Sequence, residues 1–84
     1  MVTILYFARL REALGTATEQ IALPENVRDL DGLQRVLSSR GGAWSQELAS
    51  GKRVRAAVNQ DVAHADTRIA DGDEIAFFPP VTGG

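Results

Sequence analysis

The chain contains no cysteine, a single histidine, a single lysine and one tryptophan. Without cysteine there is no disulfide framework, no thiolate nucleophile, no CxxC redox pair and no cysteine-ligated zinc or iron–sulfur site. With only His64, a multi-histidine metal site is excluded, and any serine–histidine catalysis would have to use that one imidazole. Bulk is lacking too. Eighty-four residues make one domain, and a domain of that size buries only about 60–65% of the surface its unfolded chain exposes. An enclosed active site is hard to build from so little material. A basic excess is also missing: nine basic and eleven acidic residues give a net charge of −2, which argues against a nucleic-acid partner. No apolar run approaches the ~20 residues of a membrane span, and the start lacks the basic-then-apolar pattern of a signal peptide. The expectation is a soluble cytoplasmic protein.

What is present is a folded pattern, with 44% hydrophobic residues. Val2 to Phe7 is β-branched and aromatic and apolar on both faces, which predicts a central strand covered on each side. Ala8 to Leu14 reads as a short helical turn closed by Gly15. Thr18 to Leu23 alternates as a second strand and ends at Pro24. Asn26 to Arg40 places Leu30, Leu33 and Leu37 at helical spacing with Val36 beside them. Asn26 is its expected cap, Asp29 and Asp31 lie near its positive end, and Gly41-Gly42 is its expected stop. It is the one long helix. Residues 43–53 read as irregular, anchored by Trp44 and Leu48. Val54 to Val58 is a third strand, Asn59-Gln60-Asp61 a turn, and Val62 the centre of a short strand. Asp71-Gly72-Asp73 is a tight turn, and Glu74 to Phe78 is the last strand.

Strands gathered around one helix suggest an α+β layer. The small fold that fits this order is the ubiquitin-like β-grasp: a mixed sheet of about five strands, one main helix on one face, and an extended C-terminal tail. Residues 1–78 form the domain and 79–84 the tail. In this fold the first and last strands are central neighbours, which suits the apolar character of both.

A search for chemistry inside the domain finds little. His64 near Asp61 and Asp66 reads as a surface residue. Asp71, Asp73 and Glu74 lack the spacing of a calcium loop and read as a turn. The glycines do not form a phosphate cradle.

The tail is different. Pro79 and Pro80 cannot donate to a ladder, so they end the last strand and favour a stiff extended path. Pro79, Pro80, Val81, Thr82, Gly83 and Gly84 reach at most ~20 Å from the domain. The two terminal glycines carry no Cβ, so they can enter a narrow channel and take backbone angles other residues avoid. The group they deliver is the α-carboxylate of Gly84. Once ATP converts it to an acyl-adenylate, a sulfur donor can displace AMP and leave a thiocarboxylate. Its anionic sulfur is a nucleophile in the manner of a thiolate. Gly-Gly alone is weak support, since many chains end in small flexible residues. Gly-Gly directly after a strand-ending Pro-Pro is far more specific.

These residues carry a family resemblance. The run Asp71-Gly72-Asp73-Glu74-Ile75-Ala76-Phe77-Phe78-Pro79-Pro80-Val81-Thr82-Gly83-Gly84 resembles the small, sulfur-carrier subunits of molybdopterin synthase. Ala56-Ala57-Val58-Asn59-Gln60, Phe7-Ala8-Arg9 and Arg11-Glu12 support it, and Glu25 to Gly51 looks least like the family. The resemblance implies that an adenylating enzyme resembling the ubiquitin-activating enzymes uses ATP and Mg²⁺ at Gly84, and that a sulfur-donor system then makes the thiocarboxylate. The tail would insert into a larger synthase subunit and donate sulfur to cyclic pyranopterin monophosphate, building the dithiolene of molybdopterin. The implied synthase is a heterotetramer of two small and two large subunits. The large subunits hold the catalytic side chains, so this chain is a carrier and co-substrate rather than an enzyme alone, with no tightly bound cofactor or metal.

The residues add a docking face. If Ile4, Tyr6, Ile75 and Phe77 face the helix, then Leu5, Phe7, Ala76 and Phe78 face away, with Val62 beside them. Phe7, Val62 and Phe78 are the candidate partner contacts, unless the 41–53 segment with Trp44 covers that face. Arg9, Arg11 and Arg55 are candidates for rim charge. Rival readings are a sulfur carrier for thiamin or tRNA thiolation, a ubiquitin-like protein modifier, and a binding module whose tail does no chemistry.

Overall fold

The computed structural model describes residues 1–49 and 54–79. Its elements run β1 (Val2–Tyr6), α1 (Ala8–Leu14), β2 (Thr18–Ile21), α2 (Leu30–Ser38), α3 (Gly42–Leu48), β3 (Arg55–Val58), β4 (Asp61–Ala63) and β5 (Glu74–Phe78). The strands form one five-stranded sheet in the order β2-β1-β5-β3-β4. β1 and β5 are parallel neighbours, with Ile4 opposite Ile75 and Tyr6 opposite Phe77. The β1–β2, β3–β5 and β3–β4 pairs are antiparallel. This is the expected mixed β-grasp sheet with β1 and β5 inside it.

Alternation sorts the two faces. Val2, Ile4, Tyr6, Ile75 and Phe77 are buried on the inner face, together with Leu10 of α1, Leu30, Leu33 and Leu37 of α2, and Leu48 of α3. The 3.6-residue period sets Leu30, Leu33 and Leu37 on one stripe of α2.

Two details of the helical layer differ from the sequence reading. The cap of α2 is Asp29, not Asn26: its Oδ1 accepts the Gly32 N–H at 2.8 Å. Val27 is buried before the helix begins, so residues 26–28 belong to a turn whose backbone bonds elsewhere, with Val27 N–H on Pro24 O and Arg28 O accepting from Ile69 N–H. Gly32 stays Cβ-free at that cap for a packing reason, because a Cβ there would lie 3.2 Å from the Asp29 carboxylate. The second difference is α3. Gly41-Gly42 does not lead into irregular chain; Gly41, at φ +80°, is the N-cap of another helix. Trp44 and Leu48 lie one turn apart on it, so the two anchors are the inward stripe of a helix.

The hairpin between β3 and β4 turns through Asn59 and Gln60, both with positive φ (51° and 73°), as a two-residue primed turn requires. Asn59 also clasps the start of β5. Its amide nitrogen donates to Asp73 Oδ1 and its Oδ1 accepts the Glu74 N–H, both at 3.0 Å.

Candidate functional site

β5 ends at Phe78, and Pro79 follows half-buried. Pro80, Val81, Thr82, Gly83 and Gly84, the expected tail residues, lie outside the described residues. What the structure gives is the base from which the tail departs.

Three strand ends meet at that base. β1 and β5 run parallel, so they finish together, and the Phe7 N–H donates to Phe77 O at 3.1 Å. β3 runs the other way and starts there, with Arg55 opposite Phe78. The Phe7 carbonyl accepts the Leu10 N–H at 3.1 Å, so the same residue also opens α1. Ala8 makes the strand-to-helix change within one residue by adopting φ +52°, a left-handed conformation that costs a non-glycine residue about 1–2 kcal/mol.

The outer face of the sheet is apolar near this base. Leu5, Ala76, Ala57 and Val62 form a row across β1, β5, β3 and β4. Phe7 is 47% exposed and Val62 73% exposed, and Phe78 is half-buried. Toward the other end of the sheet the face becomes polar: Gln20 donates to Thr3 at 3.3 Å, and Glu74 lies opposite Thr3. Helix α3 does not cover the apolar part. Trp44 packs edge-on against Tyr6, with ring centroids 5.4 Å apart, and Tyr6 is an inner-face residue. The three candidate contacts Phe7, Val62 and Phe78 therefore share one outward surface.

Behind it lies a polar network that the sequence did not reveal. The Tyr6 hydroxyl donates to Glu19 Oε2 at 2.9 Å, Arg40 grips both oxygens of Glu19 at 2.9 and 2.8 Å, and the Arg40 guanidinium stacks 4.4 Å from the Trp44 ring centroid. Burial, then the bond to Glu19, pushes the Tyr6 phenol up, while Arg40 holds the Glu19 carboxyl below its usual range. Tyr6 thus stays a neutral donor. The network ties β1, β2, α3 and the connection between α2 and α3 together just inside Phe7. Its hydrogen-bonded partners are 13 and 21 residues apart in sequence, so no local spacing signals the Tyr6–Glu19–Arg40 bonds.

The remaining candidates behave as ordinary surface. His64 is exposed and its backbone N–H donates to Thr67 Oγ1 at 2.8 Å. Asp73 spends both carboxylate oxygens on Asn59 and Ala70. Among the described residues no group of three potential ligands could hold a metal, and no helix is long and apolar enough to cross a membrane.

Sheet order, parallel central strands and helices on one face define a ubiquitin-like β-grasp domain. The profile of the ThiS family matches residues 4–84, and the chain belongs to that family. The molybdopterin synthase sulfur carrier subunit of Escherichia coli is 39% identical over 84 residues, covering all of both chains. Among solved structures, subunit 1 of a molybdopterin converting factor from Pyrococcus furiosus superposes with a TM-score of 0.77 at 33% identity, over 95% of this chain and 97% of that one. The small archaeal modifier protein 1 of Haloferax volcanii gives 0.63 at 29% identity, over 95% and 97%.

Proposed function

We propose that this chain is the sulfur carrier of a molybdopterin synthase. The full-length likeness to sulfur carrier subunits of that synthase carries the reading, and the sequence end Pro79-Pro80-Val81-Thr82-Gly83-Gly84 supports it chemically. An adenylating enzyme uses ATP and Mg²⁺ to join AMP to the Gly84 carboxylate, releasing pyrophosphate. A sulfur donor displaces AMP and leaves the Gly84 thiocarboxylate. Gly83 and the segment 79–82 present that sulfur in the active site of the large synthase subunit, where it passes to cyclic pyranopterin monophosphate. Two transfers build the dithiolene. The chain itself binds no metal and no cofactor tightly, and it works in the cytoplasm.

The outer apolar face is the docking surface in this reading. Phe7 and Phe78 flank the base of the tail and Val62 lies on the same face two strands from β5, so a partner that covers them also receives Gly84. Both the large subunit, in a two-plus-two heterotetramer, and the adenylating enzyme use this face, and they compete for it because one tail cannot occupy two active sites.

The test is a mass measurement. Incubation with ATP, the adenylating enzyme and a sulfur source should exchange one terminal oxygen for sulfur, and deletion of Gly84 should abolish the change. No exchange would leave a binding module. Adding the large subunit and pyranopterin precursor separates this pathway from thiamin or tRNA thiolation. A second reading, protein modification, is favoured by the likeness to a small archaeal modifier protein; it predicts isopeptides between Gly84 and lysines of other proteins.

A further inference from the structure

Of the described strand residues that alternation turns to the outer face, only Arg55 and Glu74 are charged. The others are apolar, threonine or glutamine. Arg55 opens β3 opposite Phe78, and Glu74 opens β5 opposite Thr3, so the two charges mark opposite ends of the face. β3 and β5 are antiparallel neighbours, which leaves Glu74 four residues, about 13 Å, along the sheet from the level of Arg55. That is too far for a direct pair within one chain. Among the described residues neither side chain has an ion-pair partner.

A second copy of the chain would supply both partners. Two sheets packed face to face about a two-fold axis have two choices. An axis along the strands lays the Arg55 end of one copy on the Arg55 end of the other, and like charges meet. An axis across the strands, through Ala76 in the middle of β5, reverses the strands. Glu74 then stands beside Arg55 of the second copy, and symmetry makes the same contact again. Only this arrangement is complementary in charge. Its centre suits close approach, since Ala76 and Ala57 lie opposite each other there and the sheets need come no nearer than the ~10 Å of a sandwich.

Size sets the strength. Five strands about 4.8 Å apart and about 16 Å long present roughly 400 Å² per copy, half of the ~800 Å² per partner of a stable complex. We propose that the free chain pairs through its outer face as a weak, antiparallel two-fold dimer fastened by two Arg55–Glu74 contacts, which covers the apolar patch until another protein takes its place. That the covered patch is the carrier's docking face rests on the sulfur-carrier reading; the pairing itself does not.

Sedimentation equilibrium on the full chain alone tests this, so a negative result leaves the sulfur-carrier reading standing. The average mass should rise toward twice that of the chain between ~10 µM and ~1 mM, where an interface this small should associate. Salt at ~1 M, where screening acts within about 3 Å, should weaken the association of the wild type. Arg55→Glu and Glu74→Arg should each weaken it at least ~10-fold by setting like charges together at both contacts. The double variant Arg55→Glu/Glu74→Arg should recover it, with circular dichroism showing all forms folded. A wild type that stays monomeric across the range would overturn the proposal, and would assign the two charges to a different protein. Association that ignores both salt and the single charge changes would overturn it too.

Discussion

Phe7 donates its backbone N–H to the carbonyl oxygen of Phe77, 3.1 Å away, and this bond locks the end of β1 to the end of the strand from which the tail departs. Side chains alternate on the two strands, so Tyr6 and Phe77 go inward and are buried while Phe7 and Phe78 come out as neighbours. One hydrogen bond in the sheet thereby sets the apolar outer face beside the end of β5.

Phe78→Asp should abolish co-purification with the synthase large subunit and leave the circular dichroism spectrum unchanged. The residue is half-buried on the outer face, so a carboxylate there stays hydrated in the free chain. In the complex it would be a desolvated, unpaired charge, which costs several kcal/mol. Val62→Asp, at a more exposed edge position, should weaken the complex less. Unchanged binding in both variants would remove the docking face.

The arrangement is legible in the sequence where it depends on alternation, and hidden where it depends on distant contacts. β1 and β5 read as central because Leu5 and Ala76 are apolar as well as Ile4 and Ile75. The 3.6-residue spacing of Leu30, Leu33 and Leu37 marks α2, but not where it starts: Asn26 and Asp29 are equally good caps, and only the burial of Val27 in a preceding turn separates them. α3 escapes notice because seven residues opened by two glycines carry a single apolar repeat, Trp44 to Leu48, too short to show a period. The Glu19–Arg40 pair and its link to Tyr6 leave no trace in local pattern at all.

Ala8→Gly should stabilise the domain by about 0.5–1 kcal/mol, since glycine takes a positive φ without a Cβ penalty. Ala8→Val should destabilise by more, because a β-branched residue is a poor fit at φ +52°. Urea midpoints of the three proteins check the order. An order with Val above Ala would mean the strand-to-helix junction relaxes to another backbone conformation.

Acid should loosen the Tyr6–Glu19–Arg40 network. The Arg40 bonds lower the Glu19 pKa in the folded chain, so the unfolded chain binds the proton more readily. The contribution is present above the unfolded value of about 4.3 and is lost as pH falls through the lower folded value. Glu19→Gln should therefore be less stable than the wild type at pH 7, and the difference should shrink at pH 3. Because Trp44 sits against Arg40 at 4.4 Å, tryptophan fluorescence offers a direct readout. A stability difference independent of pH would deny the ion pair its role.

The core is thin enough that truncating one buried side chain removes a large share of the stability. Leu33 and Leu37 are fully buried beneath the sheet, and a Leu→Ala change at such a site costs about 2–5 kcal/mol from a total of about 5–15. Leu37→Ala should lower the thermal midpoint by at least ~8 °C, since each kcal/mol is worth about 4–8 °C in a domain of this size. A much smaller drop would show that α2 and α3 close over the cavity.

Gly83→Ala tests the tail without touching the domain. The residue lies beyond β5 and beyond both prolines, so the urea midpoint and the affinity of the Phe7, Val62 and Phe78 face for the large subunit should stay as in the wild type. Reactivity should not. A Cβ one residue from the carboxylate narrows what can pass a tight channel and restricts the backbone angles open to the last peptide. A displacement of about 1 Å at a reacting carbonyl is enough to cost up to ~100-fold in rate. The ATP-dependent adenylation of Gly84, followed by pyrophosphate release, should fall by ~10-fold or more while binding holds. Equal rates for the Gly83→Ala variant and the wild type would mean that the partners' active sites accept a side chain there, and that the terminal pair of glycines serves the tail's freedom rather than its width.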